Sequence, residues 1–189
     1  MNATTFAFIN AKGGSGATTI CAELAKSLRS DKSVALIDGD LSGRRNMAIL
    51  FDAVRTIDLA RESGPIGVTQ IAGVTLAELA PAYDSAFTIS FDDVEALAAS
   101  YGERDFVIVD VPIPFAAPVR PFVVRATRFI IVAEPTLLGV ASARTMIAEL
   151  KRFGWLPFRL ALWLLFRLVL TFWSRAWDRD IGFLGRVKT

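Results

Sequence analysis

Histidine is absent from this chain of 189 residues, and cysteine occurs once, as Cys21. Without imidazole there is no His general base and no His metal ligand. A lone thiol closes no internal disulfide, so nothing staples the chain covalently. Cys21 falls early in a predicted helix and reads as a small core residue, not as a reactive thiol. The N-terminal stretch also lacks the combination of a basic start, an apolar core and a small-residue cleavage site, so a cytoplasmic location is expected. The remaining composition, 53% hydrophobic, is enough to bury a substantial core and fits one globular domain better than two.

Charge is scarce in neither sign, but it is unevenly spread. Residues 1–150 carry 13 Lys and Arg against 17 Asp and Glu, whereas 151–189 carry 8 against 2. The excess positive charge of the chain therefore lies wholly in its last segment, together with all four tryptophans, Trp155, Trp163, Trp173 and Trp177. Residues 1–152 are expected to form the folded domain, and 153–189 a basic, Trp-rich segment of different character.

Within 1–152 apolar runs alternate with helical patterns. "FAFIN" (6–10), "SVALID" (33–38), "DFVIVD" (105–110) and "RFIIVAE" (128–134) read as buried strands. Helices are predicted at about 17–30, 46–62 and 138–152, and Ser90 followed by Asp93 caps another running to about 101. The Gly-containing stretch after residue 62 has no clear period. Continuous apolar strands separated by helices predict an α/β fold with a mostly parallel sheet covered on both faces.

Ligands of such sheets bind at the carboxyl ends of the strands. After the first strand comes Lys12-Gly13-Gly14-Ser15-Gly16-Ala17-Thr18-Thr19. Its glycines let backbone N–H groups converge, and the helix behind offers its positive N-terminus, which together make an anion cradle. The second strand ends in Asp38-Gly39-Asp40 and "FVIV" ends in Asp110, so these carboxylates are expected to meet near Thr18. A hydroxyl with carboxylates, mostly through water, is how Mg²⁺ is held beside nucleotide phosphates. Taken singly, a glycine-rich turn is often only a turn, and a strand-ending Asp only a helix cap. A dinucleotide-binding site is the structural rival, since "GSGATT" begins G-x-G with Asp38 downstream. That reading places Thr19 where close helix packing needs glycine, and leaves Lys12, Asp40 and Asp110 without a role.

"KGGSGATT" resembles the deviant Walker A motif of the ParA/MinD family of P-loop ATPases, "ALIDGDL" its D-x-D switch segment and "DFVIVDVP" its Walker B strand. The similarity runs from about residue 4 to 152. "KGGSGATT" with "DGDLSGRRNMAILFD" is most similar to the CpaE/TadZ branch, which positions pilus-assembly and secretion machinery. The resemblance implies a three-layer P-loop NTPase fold that is shortened at its C-terminus, with ATP and Mg²⁺ as ligands. It implies that Gly13, Gly14, Ser15 and Gly16 cradle the phosphates, with Ala17 in the same loop and Thr19 near the α-phosphate. Thr18 would bind Mg²⁺, and Asp38 and Asp110 would hold its water ligands. Asp40 would position the attacking water, and Lys12 would reach across a nucleotide-sandwiched homodimer to the partner's phosphates. Ala17 stands where the usual Walker lysine would be. Losing that charge-assisted contact costs about 1.5–3 kcal/mol, roughly ten- to a hundredfold in affinity, so ATP binding is expected with hydrolysis slow or lost.

The expected function is therefore that of a nucleotide-dependent positioning factor for a pilus, secretion or similar cell-envelope machine, with a protein of that machine as partner. Two alternatives stand beside it: a nucleotide-independent scaffold docking through its tail, and a partition ATPase binding DNA non-specifically. In the tail, 160–173 is apolar apart from Arg167 and Thr171. It is shorter than the roughly 20 residues a membrane span needs, and Arg167 at the bilayer centre would cost about 2.5–3.5 kcal/mol. An interfacial or partner-docking helix over 155–177, ordinary core elements, and a remnant of a shortened gene all remain readings. Arginines interleaved with long apolar side chains suit lipid or protein better than a nucleic-acid backbone.

Overall fold

The computed structural model describes residues 3–52, 66–82, 88–114, 116–152 and 154. Its centre is a six-stranded sheet formed by β1 (Thr4–Asn10), β2 (Val34–Asp38), β3 (Gly67–Ile71), β4 (Val74–Glu78), β5 (Phe106–Val111) and β6 (Arg128–Val132). The spatial order is β3-β4-β2-β5-β1-β6, and every pairing is parallel except the β3–β4 hairpin at one edge. This is the mostly parallel three-layer arrangement expected of a P-loop NTPase.

Among the described residues the helices are α1 (Ala17–Leu28), α2 (Asn46–Leu50), α3 (Phe91–Ser100), α4 (Arg120–Arg125) and α5 (Leu137–Arg152), with a 3₁₀ turn at Ala117–Val119. The parallel strands alternate their side chains between two apolar layers. Phe8, Val34, Leu36, Leu76 and Ile108 pack on one face with Ala17, Cys21, Ala22 and Ala25 of α1 and Met47 of α2. Ala7, Ile9, Ile37, Val107 and Val109 pack on the other with Val94 of α3, Phe122 of α4 and Leu150 of α5. Since both faces are covered, β2 is buried along its whole length, which is why "VALID" reads as a continuous apolar run. The four buried positions of α1 recur at helical spacing, and Cys21 is one of them, with burial pushing its thiol well up.

The sequence expectations hold for α1, α3, α5 and four of the strands, to within two residues at most ends. Ser90 caps α3 as predicted, its Oγ accepting the Asp93 N–H at 3.1 Å. Two expectations change. The helix predicted over 46–62 ends at Leu50: Phe51 donates back to Met47 and Ala48, and Asp52 turns to a φ of 52°. Residues 53–65 lie outside the described part. The stretch with no clear period contains the β3–β4 hairpin, whose two-residue turn, Ala72-Gly73, has both residues at positive φ (49° and 82°). Such a turn favours Asn-Gly or Asp-Gly, and alanine in the first place hid the signal. The tail segment 155–177 lies outside the described residues, and among the described residues no helix is long and apolar enough to cross a membrane.

Candidate nucleotide and metal site

The loop between β1 and α1 takes its shape from left-handed residues and a short internal bond network. Gly14 and Gly16 stand at φ 86° and 92°, where a side chain would be strained. Ser15 Oγ donates to Asn10 Oδ1 at 2.6 Å and Ser15 N–H to the Lys12 carbonyl at 3.3 Å, tying the loop to the end of β1. A Cβ built on Gly13, Gly14 or Gly16 meets nothing within 4 Å, so the loop borders open space. No side chain caps α1, and no acidic residue lies in its first turn. The helix thus keeps its N-terminal positive end uncompensated, as an anion site requires.

Three acids lie in a row across the neighbouring strands, and the one nearest β1, Asp110, meets the start of α1. In the parallel register Asp38 of β2 lies beside Asp110 of β5 on one side and Glu78 of β4 on the other, each at or next to its strand's carboxyl end. All three are buried, at 3%, 1% and 2% exposure. Thr18 Oγ1 donates to Asp110 Oδ2 at 2.5 Å, and Asp110 Oδ1 has no hydrogen-bond partner among the described residues. Asp38 Oδ1 accepts the Asp40 N–H at 3.0 Å, and Asp40 Oδ1 accepts the Ser42 N–H at 2.9 Å. Gly39 permits this close approach: its N–H donates to the Asp110 carbonyl, and a Cβ there would sit 2.5 Å from that oxygen.

Burial pushes the Asp38 carboxyl up to about 7, against the hydrogen bond from Asp40, and the charges of Asp110, Glu78 and Asp40 add to the rise. Burial likewise raises Asp110 to about 6, against the Thr18 hydrogen bond and with the charge of Asp40 adding. Burial thus disfavours the ionised forms of Asp38 and Asp110, whereas Glu78 has the Arg45 guanidinium beside it. Among the described residues no three acids converge on one metal position, but the orphaned Asp110 oxygen beside the Thr18 hydroxyl fits a hard divalent cation that takes its other ligands from water and phosphate.

The remaining predicted residues fall around this core. Lys12 is exposed and its Nζ stands 3.5 Å from Glu134, just beyond β6. Thr19 is exposed on the first turn of α1, and Asp40 is half-buried. Ala17 opens α1 with its side chain fully packed into the α1 layer. Sequence reasoning missed Asn10, Glu78 and Arg45, whose Nε lies 3.3 Å from Glu78 Oε2. The signal for Glu78 was an acid closing the apolar run "VTLAE", the same sign that exposed Asp38 and Asp110.

Comparison with known proteins agrees with the fold. The MinD cell division protein of Aquifex aeolicus superposes with a TM-score of 0.62 at 23% identity, covering 85% of this chain and 69% of that one. The septum site-determining protein MinD of Pyrococcus horikoshii, complexed with Mg-ADP, gives 0.61 at 20% identity over 85% and 68%. A plasmid partition protein of Borrelia burgdorferi bound to AMPPNP gives 0.62 at 16% identity over 85% and 73%. At these identities the likeness shows the fold. No curated protein sequence matches the chain. The sequence pattern described as ATPase MipZ matches residues 4–131, a span that holds the glycine loop and the whole acidic row, and the chain belongs to that family.

Proposed function

We propose that this chain binds ATP with Mg²⁺ at the Lys12–Thr19 loop and acts as a nucleotide-dependent spatial positioning factor. The observation that carries the reading is the Thr18–Asp110 pair beneath an open glycine loop, with the second Asp110 oxygen buried and lacking a hydrogen-bond partner among the described residues. Gly13 to Gly16 and the first-turn N–H groups of α1 hold the phosphates. Thr18, Asp38 and Asp110 hold the ion, which when bound neutralises phosphate charge. Asp40 orients the attacking water, and Lys12 leaves Glu134 to reach the phosphates of a second copy. With Ala17 in place of a lysine, the loop keeps its backbone contacts but loses one cation, so hydrolysis is slow or lost. Solved neighbours complexed with Mg-ADP and bound to AMPPNP support the ligand class.

Calorimetric titration tests the site. Mg²⁺-ATP should bind more tightly than ATP in chelator, and Asp110→Ala should abolish that difference. Ala17→Lys should tighten binding by about 1.5–3 kcal/mol. Equal affinities with and without metal in the parent chain would overturn the carboxylate assignment. The finer reading, a factor for pilus or secretion machinery acting with a protein of that machine, rests on the resemblance of "KGGSGATT" and "DGDLSGRRNMAILFD". A fluorescent fusion should gather in foci with that machine and disperse with Asp110→Ala; uniform fluorescence from the parent fusion would exclude it.

A further inference from the structure

The loop that carries Asp40 is anchored at both ends, first against Asp110 and then at Glu78, the outer acid of the row. At the front, Gly39 is pressed against the Asp110 backbone, its N–H 3.0 Å from that carbonyl. At the back, Arg45 crosses from the end of the loop to β4 and sets its Nε 3.3 Å from Glu78 Oε2. Both side chains are largely removed from water, at 13% and 2% exposure. Between the anchors, Asp40 is held by its own N–H to Asp38 and by accepting from Ser42.

Two features of this second anchor call for an explanation that core packing does not supply. Glu78 puts a second buried carboxyl where the register places it next to Asp38, and two acids side by side away from water carry a desolvation cost. An apolar or amide residue there would avoid that cost. Arg45, for its part, stands at φ 56°, a left-handed conformation that side chains disfavour and that persists only where the surroundings over-determine it. Arg45 is also the N-cap position of α2, which has no side-chain cap.

We propose that the Arg45–Glu78 ion pair is a latch that sets the loop of residues 39–45 and, through it, the position of Asp40. Both are positioning residues for the nucleotide site, a role that rests on the reading of that site given above. The pair fixes the far end of the loop to the sheet, so that Asp40 is carried on a segment clamped to β5 at one end and to β4 at the other. A guanidinium suits this task because it stays charged when buried and keeps a fixed fork of donors.

Amide hydrogen exchange on the full chain tests the latch. Removing one side of the pair takes an opposite charge away from a buried group and threatens folding, so the deciding variant is the double substitution R45M/E78M, with E78Q beside it. In both variants the amides of Asp40 and Ser42 should exchange about tenfold faster or more, while those of β2 and β5 stay protected. The urea midpoint of R45M/E78M should stay within error of the parent, which separates a local latch from a purely structural pair. Unchanged protection at Asp40 and Ser42 in R45M/E78M overturns the proposal, as does a loss spread evenly over the sheet. A parent chain that fails to bind Mg²⁺-ATP would instead sink the nucleotide reading, and the exchange comparison would still decide the latch.

Discussion

Asp38 shows how a single side chain can be set against the stability of its own fold. Its carboxyl lies at about 7 because burial, together with the neighbouring charges of Asp110, Glu78 and Asp40, disfavours ionisation in the folded chain. The folded value is raised above the unfolded one, so the folded state binds the proton more tightly. The stabilisation is complete below about pH 4 and is lost as pH rises through about 7. In chelator, thermal unfolding should therefore show this contribution declining between those limits. Asp38→Asn keeps an acceptor for the Asp40 N–H, removes the ionisation, and should raise stability at pH 8 by up to about 4 kcal/mol. A variant no more stable than the parent at pH 8 would mean that Asp38 is not strained by its charge. At the same scale, Asp38, Asp110 and Thr18 could be read from the sequence because each closes a strand or opens a helix. Glu78 carried the same sign but went unread with its hairpin, and Arg45 could not be read because the path of its loop depends on β4.

Among the elements, α5 depends on a contact that its helical pattern does not announce. Gly139 lies in its first turn, and a Cβ there would fall 2.3 Å from the Glu134 carbonyl oxygen and 3.1 Å from the Glu134 N and C. In an exposed helix interior, Gly→Ala stabilises by roughly 1 kcal/mol. Here the sign should reverse, with Gly139→Ala destabilising by about 1–3 kcal/mol because backbone atoms must move. Urea unfolding checks this, and a stabilised variant would show that the β6–α5 connection is looser than described. The same connection places Glu134 opposite Lys12, so the substitution should disturb that pair as well. Element type was legible wherever period and length agreed, as in α1, α3 and β5. The hairpin was missed because β3 and β4 occupy opposite situations on one ribbon: β4 is buried throughout, while β3 alternates between buried and exposed positions.

For the molecule as a whole, the decisive arrangement is the strand order. It places β5 between β1 and β2, so that the loop after β1 and the acids after β2 and β5 end at one edge of the sheet. Local chemistry already dictated much of this. Buried apolar runs had to be parallel strands, a glycine loop before a helix had to expose N–H groups, and acids closing apolar strands had to lie at carboxyl ends. These follow from nearest neighbours along the chain, which a sequence displays directly. Which acid lies beside which, that Ala17 packs inward, that Lys12 meets Glu134 and that Arg45 reaches Glu78 are contacts between segments up to 122 residues from one another, of the kind that also joins Thr5 to Thr127. Such contacts are set by register and by the packing of whole layers, and only the tertiary structure decides them.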